Sequence, residues 1–204
     1  ANQTLAAYFR LHAGFAWQVP QHFNMAQACC QRWAAQPDAT KRVAVRAYST
    51  GAGSTFHTYS ELQAQANRLS NALRVLGVQR GDRVGIVLPQ RFETAVAYMA
   101  VLQLGAVAMP LSMLFGREAL EYRLQDSEAV VALCDESSVA NVVRAGAQCP
   151  LLRTIVGVGA AAAQADYGWE QERPGLSADF VAARTHAEDG AVLIYTSGTT
   201  GPPK

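Results

Sequence analysis

The sequence predicts an α/β fold, a mainly parallel sheet with helices on both faces and an early β-hairpin. Three observations carry that expectation. From Arg83 onward, short apolar runs alternate with helical stretches, at spacings that leave room for crossover connections. The runs 83–88, 106–111 and 129–134 are largely apolar along their length, as strands covered on both faces must be. Before them, residues 43–48 and 55–59 flank a Gly/Ser stretch, 49–54, in a hairpin pattern that could belong to a different sheet. A chain of 204 residues, half of them hydrophobic, can bury a substantial core.

Taken in order, the first two dozen residues hold Tyr8, Phe9, Phe15, Trp17 and Phe23 without clean periodicity. Asn24 suits an N-cap, with Gln27 in capping-box position, and the helix behind it runs to about residue 35 before Pro37 stops it. After the hairpin, Ser60 and Gln63 form a second capping-box signature. The helix it opens places Leu62, Ala66, Leu69, Leu73 and Leu76 on one stripe, and Gly77 is its natural terminator. Gly81-Asp82 is a turn before the 83–88 strand. A helix over about 92–104 is apolar nearly all round and ends at Gly105. Helices at about 117–126 and 137–145 lead into strands at 129–134 and 152–158. Residues 160–175 read as a surface excursion, and a short helix near 176–184 precedes a final strand at 191–195.

Composition narrows the function. Seventeen basic residues face sixteen acidic ones without a Lys/Arg cluster, which disfavours nucleic acid and anionic membranes as partners. The apolar run 95–114 approaches the length of a bilayer span, but Gly105 and Pro110 break it into a buried helix and a buried strand. Cys29, Cys30, Cys134 and Cys149 lack metal-ligand spacing, so a reduced protein of the cytoplasm, or of the mitochondrial matrix in a eukaryote, is the simpler reading. No secretory signal is visible, and because the first residue is Ala1 a removed leader stays open. His12, His22, His57 and His186 lack a nucleophile pattern around them and read as structural or surface residues. Glu188 and Asp189 read as a solvated approach to the last strand, and Trp17, Trp33 and Trp169 as core or docking residues.

The chemistry concentrates at the end of the sequence, behind the apolar run 191–195. Thr196, Ser197, Thr199 and Thr200 supply hydroxyls, Gly198 and Gly201 let the backbone approach an anion, and Lys204 adds a point charge. A Walker A loop is excluded, because Gly201 is followed by Pro202 and Pro203 where that motif needs Lys-Ser/Thr. The prolines remove two N–H donors and prevent a helix from opening directly behind the glycines. The loop therefore reads as a flap over phosphates, and from these residues alone an exposed Gly/Thr turn remains the alternative.

In register, Tyr195-Thr196-Ser197-Gly198-Thr199-Thr200-Gly201-Pro202-Pro203-Lys204 resembles the phosphate-loop signature of the adenylate-forming superfamily, with Pro202 in its variable slot. Thr58-Tyr59-Ser60-Glu61-Leu62 is similar to the T-Y-x-E-L segment of that superfamily. The stretch from Leu102 to Pro110 is similar to a second core motif, in which a lysine is common where Gln103 stands. Phe15, Trp17, Phe23-Asn24 and Arg32-Trp33-Ala34 resemble the acetate-to-medium-chain acyl-CoA synthetases in particular.

The resemblance implies the N-terminal part of a large AMP-binding domain, cut within its phosphate loop and without the mobile C-terminal domain. It implies an enzyme that joins a carboxylic acid to ATP, releasing pyrophosphate, and then passes the acyl group to coenzyme A, with Mg2+ bridging phosphate oxygens. Residues 196–204 would grip the β- and γ-phosphates. An aryl-acid ligase, a peptide-synthetase adenylation domain and a non-catalytic nucleotide-binding module are the alternatives. The remaining contacts of such a site would lie downstream, so these 204 residues alone are expected to be inactive.

Overall fold

The computed structural model describes residues 2–49, 51 and 53–196. The chain opens with α1 (Asn2–Gly14), a helix that its aperiodic composition did not announce, and Leu5, Tyr8, Phe9 and Leu11 on it are exposed. Asn24 caps the next helical segment as expected, its Oδ1 accepting from the amides of Ala26 at 3.0 Å and Gln27 at 3.3 Å. A π-helical turn, Gln27–Gln31, leads into α2 (Arg32–Ala34). β1 (Val43–Ser49) and β2 (Gly53–Thr58) then pair antiparallel as a separate two-stranded sheet.

The box that opens α3 (Tyr59–Val75) differs from the expected Ser60–Gln63 pair. Thr58 is the N-cap: its Oγ1 accepts from the Glu61 amide at 3.2 Å, and Glu61 Oε2 accepts from the Thr58 amide at 2.7 Å. Thr58 is extended because it still ends β2, and a carboxylate suits the positive end of a helix better than Gln63 does. The expected stripe holds, with Leu62, Ala66, Leu69 and Leu73 buried. At its end Gly77 takes φ +82°, while the amides of Gly77 and Val78 bond to the carbonyls of Arg74 and Leu73. That arrangement is a Schellman cap.

The main sheet follows as β3 (Arg83–Val87), α4 (Phe92–Gln103), β4 (Val107–Pro110), α5 (Arg117–Asp126), β5 (Val131–Cys134), α6 (Val139–Gly146), β6 (Thr154–Gly157) and β7 (Tyr167–Gly168), with α7 (Trp169–Glu172) behind it. Its five strands are all parallel, in the order β4-β3-β5-β6-β7. α3 and α4 cover one face and α5 and α6 the other. Strand alternation splits the core accordingly: Val131 and Leu133 join the α3/α4 side, Ala132 and Cys134 the α5/α6 side.

Three expectations for the last third of the chain are corrected. Residues 160–175 are no mere excursion, since they supply β7 and the buried Trp169. Residues 176–184 form no helix; the last helical turn before them is a 3-10 one, Arg173–Gly175. Side-chain amides of α3 hold this strap extended: Asn67 Nδ2 donates to Ala178 O at 2.6 Å, and Asn71 Nδ2 to Ser177 O and Asp179 O at 2.9 and 3.0 Å. The final strand shrinks to a single parallel bridge between Val192 and Ala108. The apolar run 95–114 is the end of α4 followed by β4, and no described helix is long and apolar enough to cross a membrane.

Candidate functional site

In an open parallel sheet the ligand crevice lies beyond the carboxyl ends of the strands, where successive connections diverge. Here the chain passes from β3 outward to β4 and returns beyond β3 to β5, so the divergence falls between β3 and β5. Arg91, shortly after β3, and Asp135, directly after β5, meet across it with Nη1 to Oδ2 at 3.3 Å. Asp135 is only 2% exposed, and its Oδ1 accepts from the amide of Ser137 at 3.0 Å and its hydroxyl at 2.5 Å. Arg91 Nε donates to Glu93 Oε2 at 2.7 Å. Burial disfavours the charge on Arg91, but Glu93, Asp135 and Glu136 outweigh it and raise its pKa, so it stays a cation.

The β1–β2 hairpin leans over this end. A cleft of about 470 Å³ opens beneath it, lined by Tyr48, His57, Gln90, Arg91, Asp135 and Glu136. His57 stacks on Phe92 with ring centroids 3.8 Å apart, which fits the structural role expected of it. A second cleft of about 390 Å³ lies beyond β3 and β4, against Gln90, Thr94, Tyr98, Ser112 and Met113.

The segment that feeds the phosphate-type loop runs beside β4 in the direction of the parallel strands. Ala108 N donates to Ala191 O at 2.9 Å, and Leu193 N to Ala108 O at 3.0 Å. Tyr195 packs against the α5/α6 core, and its hydroxyl donates to Asp126 Oδ2 at 2.6 Å. Burial, reinforced by the Asp126 carboxylate, raises the Tyr195 pKa, so the phenol stays a donor. Thr196 is exposed, while Ser197, Gly198, Thr199, Thr200, Gly201, Pro202, Pro203 and Lys204 lie outside the described residues. Among the described residues no group of three or more His, Cys, Asp and Glu side chains could hold a metal ion.

Other singled-out residues resolve as follows. Gln103 is 1% exposed and knits α3 to α4: its Nε2 donates to Ser70 Oγ at 2.5 Å and Asn67 Oδ1 at 3.2 Å, and its Oε1 accepts from Gln63 Nε2 at 3.1 Å. His22 and His186 are not isolated; they face each other across a bridge with centroids 4.4 Å apart. Asp189 accepts from the His186 amide at 2.8 Å and pairs with the Arg80 guanidinium. Trp169 is core, whereas Trp17 is 83% exposed. Arg91 and Asp135 were not found from sequence, although each follows a buried strand and that position carried the missed signal.

The AMP-binding enzyme family model matches residues 30–204. Among curated relatives, the acetyl-coenzyme A synthetase of Novosphingobium aromaticivorans is 30% identical over 94% of this chain and 32% of its own length. That of Halorhodospira halophila is 35% identical over 72% of this chain and 25% of its own length. A mitochondrial acyl-coenzyme A synthetase of Mus musculus is 27% identical over 99% of this chain and 36% of its own length. The crystal structure of an anthranilate CoA ligase in complex with anthranoyl-AMP superposes with a TM-score of 0.80 at 26% identity, covering 91% of this chain and 34% of that one. The Brucella canis acyl-CoA synthetase, at TM-score 0.79 and 24% identity over 98% of this chain and 35% of that one, shares the fold. The chain thus spans about a third or less of the length of the first curated relatives it matches. By the family match, which takes in both the parallel sheet and the loop behind Tyr195, this chain belongs to the AMP-binding enzyme family.

Proposed function

We propose that residues 1–204 are the N-terminal part of the large nucleotide-binding domain of an ATP-dependent, AMP-forming acyl-CoA synthetase. One observation carries the reading: the family match ends in a ten-residue phosphate-loop signature, 195–204, behind a segment that runs parallel to β4. Acetyl- and acyl-coenzyme A synthetases among the relatives support it. In the reaction a carboxylate oxygen attacks the α-phosphate of ATP and pyrophosphate leaves; the thiol of coenzyme A then attacks the acyl carbon and AMP leaves.

Charge builds on the departing pyrophosphate, and preorganised donors aimed at it lower the barrier. Thr196, Ser197, Thr199 and Thr200 would supply hydroxyls, Gly198 and Gly201 close backbone approach, Pro202 and Pro203 stiffness on the far side, and Lys204 positive charge. The exposure of Thr196 at the end of the strand-parallel segment supports this role. Mg2+ would accompany ATP as its counter-ion.

The test is AMP release by the full-length protein with ATP, coenzyme A and acetate, butyrate, octanoate or benzoate. AMP with an aliphatic acid is expected, and no AMP with any acid would overturn the reading. AMP with benzoate alone would favour an aryl-acid ligase, a reading to which the anthranilate CoA ligase likeness lends support.

A further inference from the structure

Arg123, on α5, is 8% exposed, and its Nε has no hydrogen-bond partner among the described residues. Its Nη1 donates to Ala119 O at 2.7 Å, one turn back along the same helix. The guanidinium lies over two rings, with Cζ 4.1 Å from the Phe115 centroid and 5.6 Å from that of Tyr195. A buried cation with an orphaned donor is costly to maintain, so its position calls for a reason. Tyr195 is fixed by its ring, which lies over Arg123 and edge-on to Tyr122, and by its hydroxyl, which donates to Asp126 Oδ2 and, at 3.4 Å, to Arg123 O. The segment before it is lightly held, with a single bridge at Val192 and with Val192 and Ile194 exposed.

We infer that Arg123 is a positioning residue for the phosphate loop: in contact with the rings of both Phe115 and Tyr195, it fixes the residue from which that loop departs. The inference rests on the function proposed above for that loop. A planar, delocalised guanidinium can stack on both rings, whereas lysine offers only a point charge.

The test uses the full-length protein with Arg123→Met, Arg123→Lys, Tyr195→Leu and Tyr195→Phe. Two readouts are taken: amide hydrogen exchange of residues 194–196, and the two half-reactions measured separately. In Arg123→Met and Tyr195→Leu, exchange at 194–196 should rise about tenfold while β3 and β5 stay protected. The KM for ATP in acid-dependent pyrophosphate exchange should rise about tenfold, with thioester formation from supplied acyl-adenylate changed less than about twofold. Arg123→Lys should resemble Arg123→Met, Tyr195→Phe should be milder because the stack survives, and the Arg123→Met/Tyr195→Leu double variant should be no worse than either single one. Should Arg123→Met fail to fold, Tyr195→Leu carries the same prediction at a half-exposed position. Unchanged exchange at 194–196 in a folded variant, or equal losses in both half-reactions, overturns the inference. A local rise in exchange within a wild-type background that makes no adenylate would instead sink the proposed function and leave the positioning role standing.

Discussion

Lys204 and Gln103 separate two kinds of polar residue that sequence alone presents alike. Lys204 belongs to the Ser/Thr/Gly run for which a grip on pyrophosphate is proposed. In the full-length protein Lys204→Ala should therefore slow adenylate formation about a hundredfold, as loss of a group aimed at transition-state charge does. Thioester formation from supplied acyl-adenylate should be nearly unaffected, and equal losses in the two steps would remove Lys204 from the pyrophosphate. Gln103 stands within a recognisable motif, yet its amide is spent on Gln63, Asn67 and Ser70 inside the α3–α4 interface. Gln103→Leu should cost about 1–3 kcal/mol in urea unfolding, because it strips partners from buried polar groups. Its effect on the chemistry should be no larger than its effect on stability, and a selective loss of ATP binding would contradict that. The motif at Gln103 was legible in the sequence, but its meaning was not, since its three partners lie 33, 36 and 40 residues away.

Among the elements, those with local signals were readable and those held from a distance were not. Glycine stops, capping residues and buried strand runs act within a few residues, and α3, α4, α5 and β3 to β6 appear close to where they were expected. The strap at 177–183 was misread as helix because the amides that hold it open lie on α3, as far as 111 residues away. The same distinction separates two glycine caps. Gly77 and Gly105 both adopt positive φ, at +82° and +73°, but a Cβ on Gly77 meets nothing within 4 Å. On Gly105 it would stand 2.9 Å from Thr185 Cγ2, and Thr185 is tied down by its hydroxyl to Phe23 O at 2.7 Å. Gly77→Ala should then cost about 1 kcal/mol of backbone strain, and Gly105→Ala about 1–2 kcal/mol more, with the difference read from denaturant midpoints. Equal costs would mean that the strap gives way freely. Its far end also carries a pH dependence. Burial, with Arg184 and His186 nearby, lowers the pKa of His22. The unfolded chain therefore binds the extra proton first as pH falls below about 6.5, and stability drops until the folded-state pKa is passed. His22→Gln should flatten this part of the Tm-versus-pH curve and leave the alkaline side unchanged.

For the whole molecule, the fold class was legible because a sheet buried on both faces imposes its pattern on every strand, whatever ligand it serves. The candidate site was legible only as a loop signature; the Arg91–Asp135 junction between β3 and β5 depends on strand order, which a linear pattern does not reveal. Strand order also bears on what 204 residues can do by themselves. Two clusters of buried apolar side chains pack one on each side of the sheet, so the isolated chain should unfold cooperatively in circular dichroism. Its β4 edge is less finished: Val192 and Ile194 are exposed beside a single bridge, an invitation to strand pairing. The chain also covers 32% and 25% of the first two relatives, and the phosphate grip proposed here is one part of an adenylating site that must also hold adenine, ribose and an acid. Residues 1–204 alone are therefore expected to fold, to associate through that edge as concentration rises, and to show no acid-dependent pyrophosphate exchange. Sedimentation across a concentration series and an exchange assay with each acid would check both halves. Pyrophosphate exchange by the isolated chain would show that binding and chemistry are complete within the β3–β5 crevice, and the division of labour proposed here would have to be abandoned.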